Sequence, residues 1–215
     1  MNRLPGIVRN HLAALRLLLI FTVITGIAYP VFMWGVAEAA FSRQANGSMV
    51  TYHGRTVGSG LLCQEFVYAN GQPMPQYFQP RPSDAIPSPA PKDDYGCDPA
   101  YSSASNLGPD NPVLVHLIRQ RQRQIAAFDH VPVSAIPPDA VTASGSGLDP
   151  DISPANAAIQ VDRVATARHL RPAVVRALVS RYTTGRQLGF LGEPAVNVLL
   201  LNIALDEKYP VSSGG

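Results

Sequence analysis

Apolar positions run unbroken near the start of the chain and then give way to short, interrupted patterns. From Leu17 to Ala37 no residue is charged, and no Asp or Glu occurs before Glu38. As a helix this stretch rises about 30 Å, the thickness of a bilayer's hydrocarbon core. Arg3, Arg9 and Arg16 precede the run, and Glu38 and Arg43 follow it. Positive charge is retained on the cytoplasmic side, which predicts an inside N-terminus and an outside remainder. Tyr29 and Trp34 fall near the outer end, where amphipathic rings favour the interface. Pro30 should kink the last turns. A cleaved signal peptide is the rival reading, since Ala37 and Ala39 form an A-x-A pattern, but a signal's apolar core of about 7–15 residues is shorter than this run. The expected organisation is a cytoplasmic tail over 1–16, a transmembrane helix over 17–37 and one extracytoplasmic domain over 38–215.

Past the run, residues 38 to 47 read as a short connector at the fraying end of the helix. "SMVTYHGRTVGSGLL" alternates as a hairpin, with Met49, Val50, Tyr52, Thr56 and Val57 in strands and His53-Gly54 as the turn. Gly58 and Gly60 mark bulge or close-approach positions. From Phe66 to Pro112 the chain is rich in Pro, Gly, Asn and Ser, an irregular stretch of a length that is usually functional or disordered. Its aromatics, Tyr68, Tyr77, Phe78, Tyr95 and Tyr101, give it apolar area to bury and argue against disorder. A helix is predicted from "DNPVL", capped by Asp110 or Asn111 with Pro112 in its first turn. Leu114, Leu117, Ile118, Arg121, Ile125 and Phe128 share one face, while Arg119, Gln122 and Arg123 lie off it, read as a solvated surface with an acidic partner as the alternative. Ser153-Pro154 opens a second helix, with Val161, Val164, Ala165 and Arg168 on one stripe. A third begins at Pro172, with Val174, Ala177, Leu178 and Arg181 facing one way. Gly185, Gly189 and Gly192 break the chain. "EPAVNVLLLNIALDEKY" suits a buried terminal helix, with or without a short Val196–Val198 strand before it. The predicted class is α+β: one N-terminal transmembrane helix, then one mixed helix/strand domain with a long Pro/Gly-rich loop.

Composition changes little in this picture. The formal net charge is +2, but setting aside Arg3, Arg9 and Arg16 leaves 14 basic residues against 15 acidic. The exported part is near neutral, and nothing in it argues for nucleic acid. Cys63 and Cys97 are candidates for a disulfide in an oxidising compartment, with two unpaired thiols as the alternative.

Candidate chemistry concentrates in "TASGSGLDPDISP". A Walker phosphate loop needs a lysine, and the chain's only lysines are Lys92 and Lys208. A nucleophile elbow needs G-x-S-x-G, and Gly145-Ser146-Gly147 is one residue short on each side; His116, His130 and His169 have no telling spacing to a serine. Asp149 and Asp151 alternate as in a calcium loop, but the pattern ends at Ser153. Five scattered histidines and two distant cysteines have no zinc spacing. The remaining reading is a glycine connector that lets backbones approach closely, followed by a capped helix. On it, both Gly145 and Gly147 should matter more than the hydroxyl of Ser146.

Several of these stretches carry a family resemblance. "TASGSGLDPDISPANAAIQVDRVATAR" and "LGFLGEPAVNVLLLNIALD" are similar to the C subunit of the Kdp potassium-transporting ATPases, the KdpC family. "ANGSMVTYHGRTVGS", "YFQPRPS" and "SNLGPDNP" agree in order, so the resemblance spans nearly the whole chain. It draws attention to Tyr77, Phe78, Arg81, Pro82 and Ser83, to Asn106, Asn111 and Pro112, and to Ser144, Gly145, Ser146, Gly147, Asp149, Pro150, Ser153 and Pro154. In the last motif it draws attention to Gly192, Glu193, Pro194, Asn197 and Asn202. "PMPQ" and "AIPSPAPKDDYGCDP" depart from the family pattern by making the loop Pro-rich and placing Cys97 in it.

The resemblance implies a non-catalytic subunit of a high-affinity, ATP-driven potassium uptake complex in the inner membrane. Its partners there would be a channel-like potassium-selecting subunit, a P-type ATPase subunit and a small single-helix subunit. It also implies a catalytic chaperone that raises the ATP affinity of the pump subunit, with potassium as the transported ion. The residues add no nucleophile, base or metal set, so the chain is not expected to be an enzyme by itself. ATP is cytoplasmic, however, and the charges place the domain outside, so only residues 1 to about 16 are positioned to touch nucleotide. Assembly and gating are therefore expected ahead of direct ATP contact. The discriminating alternative is a stand-alone membrane-anchored binding or hydrolytic domain.

Overall fold

A computed structural model describes residues 5–86 and 96–211. Arg3, Lys92 and Tyr95, used above, lie outside the described residues. The chain divides into two units, Met1–Ser48 and Met49–Gly215.

In the first unit α1 (Gly6–Val23), a π-helical turn (Ile24–Ala28) and α2 (Tyr29–Ala45) form one continuous helical stretch. None of its residues is buried, and it is long and apolar enough to cross a membrane. At 1.5 Å per residue it rises about 60 Å, twice a bilayer's hydrocarbon core. Pro30 has no N–H for the Gly26 carbonyl, and the helix widens just ahead of it: the Tyr29 N–H donates to Ile24, five residues back. Thr22 and Thr25 donate their hydroxyls to the Leu18 and Phe21 carbonyls at 2.8 and 2.6 Å. A second break lies at Phe41 (φ −139°), inside the stretch read from sequence as a connector. Helical backbone resumes there as far as Ala45.

The second unit opens on a hairpin, β1 (Met49–Tyr52) and β2 (Arg55–Ser59). His53 (φ 48°) and Gly54 (φ 76°) both take the left-handed conformation that a two-residue hairpin turn requires. Pairing shifts between Val50 and Thr51, leaving Val57 as a bulge. A Cβ on Gly58 would lie 2.7 Å from Gln64 Oε1 and 3.0 Å from Leu199 Cδ2, so this glycine is a close-approach position.

Helices and a small sheet enclose the core, whose helical residues come from the last three helices. α4 (Pro154–Ala167) packs against α3 (Pro112–Asp129) and α5 (Pro172–Arg181), and α6 (Val198–Lys208) packs on α5. β5 (Ala195–Asn197) is the centre of an antiparallel sheet between β3 (Asp151–Ile152) and β4 (Thr183–Thr184). Phe78, Ile152, Val161, Val164, Val175, Leu178, Val196, Leu201 and Leu205 belong to one buried cluster.

Caps set the helix starts. Asn111, rather than Asp110, accepts from Val113 N–H; Ser153 accepts from Asn156 N–H; Asn197 accepts from Leu200 N–H. The stripe predicted for α4 is buried throughout: Val161, Val164, Ala165 and Arg168. The stripe predicted for α5 is one position out. Val175, Leu178 and Val179 are buried and Tyr182 packs on the core, while Ala177 and Arg181 are exposed. Both sets fit a 3.6-residue period, and the set that ends in Tyr182 rather than Arg181 removes more apolar area from water. The C-terminal motif holds both elements proposed for it, with the strand over Ala195–Asn197 and Val198 already helical.

Candidate functional site

Between β2 and α3 the described backbone has no regular helix or strand, yet its middle is held by a dense set of side-chain hydrogen bonds. Phe78 is fully buried. Its backbone is bracketed by one amide: Asn202 Oδ1 accepts from Phe78 N–H and Nδ2 donates to Phe78 O, both at 2.9 Å. Gln160 repeats the device one residue on, accepting from Gln79 N–H at 2.7 Å and donating to its carbonyl at 3.2 Å. A side-chain amide is the natural choice because it offers a donor and an acceptor side by side, as a neighbouring strand would.

Two arginines of α4 and its C-cap complete the clamp. Arg163 donates through Nε to Asp129 at 2.6 Å, through its terminal nitrogens to the Pro75 and Tyr77 carbonyls at 2.7 and 2.8 Å, and to Gln160 Oε1 at 2.7 Å. It also lies over the Phe128 ring. Burial pushes the Asp129 carboxyl above its usual range against the attraction of Arg163, and lowers Arg163 in turn. Burial opposes the charged form of both partners, and the bonds to Pro75, Tyr77 and Gln160 fix the guanidinium's orientation. Arg168 donates to the carbonyls of Gln76 and Tyr209 and to Asp206, and sits over the Tyr77 ring. The Tyr77 phenol donates to the other Asp206 oxygen at 3.0 Å. Burial, and then the Asp206 charge, raise the Tyr77 pKa, with Arg168 opposing.

The far end of the same segment locks onto the glycine connector. Arg81 pairs with Asp149 at 2.9 Å and donates to Thr142 O at 3.3 Å. The Ser83 hydroxyl donates to Gly147 O at 2.6 Å and accepts from the Cys97 and Ala85 N–H groups. Cys63 and Cys97 form a disulfide with Cα atoms 5.5 Å apart. Gly147 (φ +73°) is surrounded: a Cβ there would lie 2.5 Å from Ser103 O and 2.8 Å from Ala85. Gly145 does not share this role. Its φ is not left-handed and nothing lies within 4 Å of an added Cβ, so the equal weight expected for the two glycines is corrected. Ser146 accepts from Leu148 N–H, a local turn bond. Ser144 is buried with no partner for its hydroxyl. Asp139 ties the next helix in, accepting from Ser153 N–H, Ser153 Oγ and Asn156 Nδ2. Burial, and then the charge of Asp149, raise the Asp151 carboxyl, with Asn197 opposing.

A cavity of about 670 Å³ opens beside the clamp between α3, α4 and residues 65–82. Arg81, Arg121 and Arg163 lie on its wall with Phe128 and Ile125. Arg163 is committed to the clamp, Arg81 to Asp149, and Arg121 gives one bond to Val141 O. Among the described residues no group of three or more His, Cys, Asp or Glu side chains gathers as a metal site would.

The model of one protein family, KdpC (K+-transporting ATPase, c chain), matches residues 11–207. This chain belongs to the KdpC family. A potassium-transporting ATPase KdpC subunit of Sorangium cellulosum is 51% identical over 195 residues, covering 90% of this chain and 95% of the relative. The KdpC subunit of Paraburkholderia phytofirmans is 50% identical over 188 residues, 87% of this chain and 91% of the relative. That of Mycobacterium tuberculosis is 46% identical over 199 residues, 92% and 98%.

The residues of the KdpC motifs noted in the sequence take different places in the fold. Tyr77, Phe78, Arg81, Ser83, Gly147, Asp149, Ser153 and Asn202 meet in the clamp and its connector, with Pro82, Pro150 and Pro154 between them in the chain. Asn111, Pro112 and Asn197 start helices. Asn106 is exposed, left-handed (φ 51°), and donates to the Ala104 carbonyl. Gly192, Glu193 and Pro194 stand in an exposed loop far along the chain. Gln79, Asp129, Asp139, Gln160, Arg163 and Asp206 were absent from the sequence-derived set. Asn156, Gln160 and Arg163 fall at spacings of four and three, which is the signal a polar inner face on α4 would leave.

Proposed function

We propose that this chain is a non-catalytic subunit of a high-affinity, ATP-driven potassium uptake complex. Residues 17–37 hold it in the inner membrane, the N-terminus is cytoplasmic, and the domain over 38–215 is extracytoplasmic. The observation that carries this reading is an apolar helical stretch with no buried residue, in a chain whose relatives are named as subunits of potassium-transporting ATPases. The domain supports an assembly role. Asn202, Gln160, Arg163 and Arg168 fix residues 75–83, so what the domain offers a partner is a rigid shape. It assembles with the P-type ATPase and potassium-selecting subunits and stabilises or regulates them. A rise in the pump's ATP affinity is then transmitted through the assembly, since only residues 1 to about 16 lie on the nucleotide side.

The test is extraction in mild detergent followed by growth at limiting potassium. The chain is expected to co-purify with a P-type ATPase, and its deletion to abolish growth at limiting potassium. A chain that leaves the membrane alone and is dispensable for growth supports the stand-alone anchored domain instead. A reporter cysteine at Glu207 should react with an impermeant reagent from outside and one at Asn2 should not; the reverse pattern ends the orientation. Purified alone, the chain should show no ATP turnover.

A further inference from the structure

The clamp leaves unused the stretch "TTGRQLGFLGEP", residues 183–194, which runs from β4 toward β5. Gln187 and Leu191 bridge across it, each N–H donating to the other's carbonyl at 2.8 and 2.9 Å. The turn they close sets Leu188 at φ +53° and Gly189 at φ +81°. A leucine in that region is uncommon, because its Cβ crowds the backbone. The side chain held there points to water: Leu188 is 82% exposed, Phe190 69% and Leu191 48%. From Met49 onward, no other four consecutive described residues expose three large apolar side chains. Nothing lies within 4 Å of a Cβ added to Gly185, Gly189 or Gly192, so these glycines are not packed against the domain. Arg186 and Glu193 pair across the base at 2.8–2.9 Å.

We propose that this tip is a docking knob that enters an apolar pocket on a different protein subunit in the same membrane. The proposal rests on the reading of the chain as a subunit of a complex. Three observations select this occupant. The loop's two charges cancel, so it offers no free cation to anionic headgroups, and it has no Trp or Tyr for the interface; bilayer-inserting tips use both. The three side chains offer at most on the order of 500 Å² from one copy, short of the roughly 800 Å² per partner of a standard stable interface. A few apolar anchors filling a neutral pocket can, however, dominate a larger interface, and a membrane anchor supplies the proximity that makes a small contact effective. A conformation that spends backbone strain to hold Leu188 outward fits a recognition site.

The test uses the full-length chain in its membrane complex. A photo-crosslinking residue at Phe190 is expected to attach to another subunit, identified by mass spectrometry, while one at the exposed Val133 is not. The double variant Leu188→Ser/Phe190→Ser should lower recovery of the detergent-washed complex about tenfold or more, as loss of an interface anchor does. The thermal midpoint of the purified chain should stay unchanged. Adducts only with lipid, only with a second copy, or none at Phe190 overturn the proposal, as does normal complex recovery in the double variant. A wild-type chain that never co-purifies with an ATPase sinks the complex reading and this proposal with it. A wild-type complex that forms normally with a silent Phe190 sinks the knob alone.

Discussion

The loops over 142–149 and 183–194 are both glycine-rich, yet a Cβ on Gly147 would lie 2.5 Å from the Ser103 carbonyl oxygen, whereas one on Gly185, Gly189 or Gly192 would meet nothing within 4 Å. In the first loop glycine makes room for another backbone, and the neighbouring side chains are spent on hydrogen bonds inside the domain. In the second, glycine permits a turn shape, and the neighbouring side chains are apolar and face water. Identical residue types thus serve packing in one place and presentation in the other, and only the surroundings distinguish them.

The difference can be broken most severely from the packed side. Arg163→Met should destabilise the domain by roughly 3–5 kcal/mol, because it leaves Asp129 buried without its partner and frees the Pro75 and Tyr77 carbonyls. The loss should grow with pH. Asp129 already binds its proton more tightly folded than unfolded, so its contribution is complete below about pH 3.8 and is lost as pH rises through its folded pKa. Denaturant unfolding at pH 4 and pH 7 measures both effects, and an equal loss at the two values contradicts the burial argument.

Next comes Gly147→Val, expected to cost about 3 kcal/mol through overlap with Ser103 and Ala85 plus a β-branched residue at positive φ. Gly192→Val, at φ +77° in open space, should cost only the strain, about 1–2 kcal/mol. If the two variants unfold at the same denaturant concentration, the distinction between the loops fails. Ser153→Ala removes both a cap and the hydroxyl bond to Asp139, and should cost about 1–2 kcal/mol in the same measurement.

Two smaller changes sharpen the contrast. In Asp151→Asn a carboxyl whose folded pKa is raised by burial is removed, so the variant should be more stable than the parent at pH 7 and lose that advantage below about pH 3.8. Gly145→Ala should be neutral or stabilising by up to about 0.5 kcal/mol, because its conformation suits any residue and only unfolded-state entropy changes. A large loss at Gly145 would restore the view that both glycines of the connector are packed.

Local structure was legible wherever the deciding contacts are local. The His53-Gly54 turn, the Ser153 cap, Pro112 and Pro154 in first turns, and the α4 stripe follow from chemistry within a few residues. The α5 face was misplaced by one position because two stripes satisfied the same period, and the choice depended on what Tyr182 could reach. Of the clamp on residues 75–83 the motifs supplied Tyr77, Phe78, Arg81, Ser83 and Asn202, but not the partners Gln79, Asp129, Gln160, Arg163 and Asp206. Gln79 meets Gln160 across 81 positions and Tyr77 meets Asp206 across 129, and no periodicity records such a pairing. Asn202 and Arg163 read in isolation as polar interruptions of apolar helices.

By itself, then, the sequence determined the long apolar helix, the helix starts, the hairpin and the family, since each rests on short-range preferences or on motifs in order. The tertiary structure alone decided that the irregular segment is held as firmly as a strand. It also decided that Gly147 is crowded while Gly145 is free, and that Leu188, Phe190 and Leu191 face outward. Apolar residues and glycines carry no label for what they will touch. Burial is a property of the assembled fold, and it is fixed when distant segments compete for the same interior.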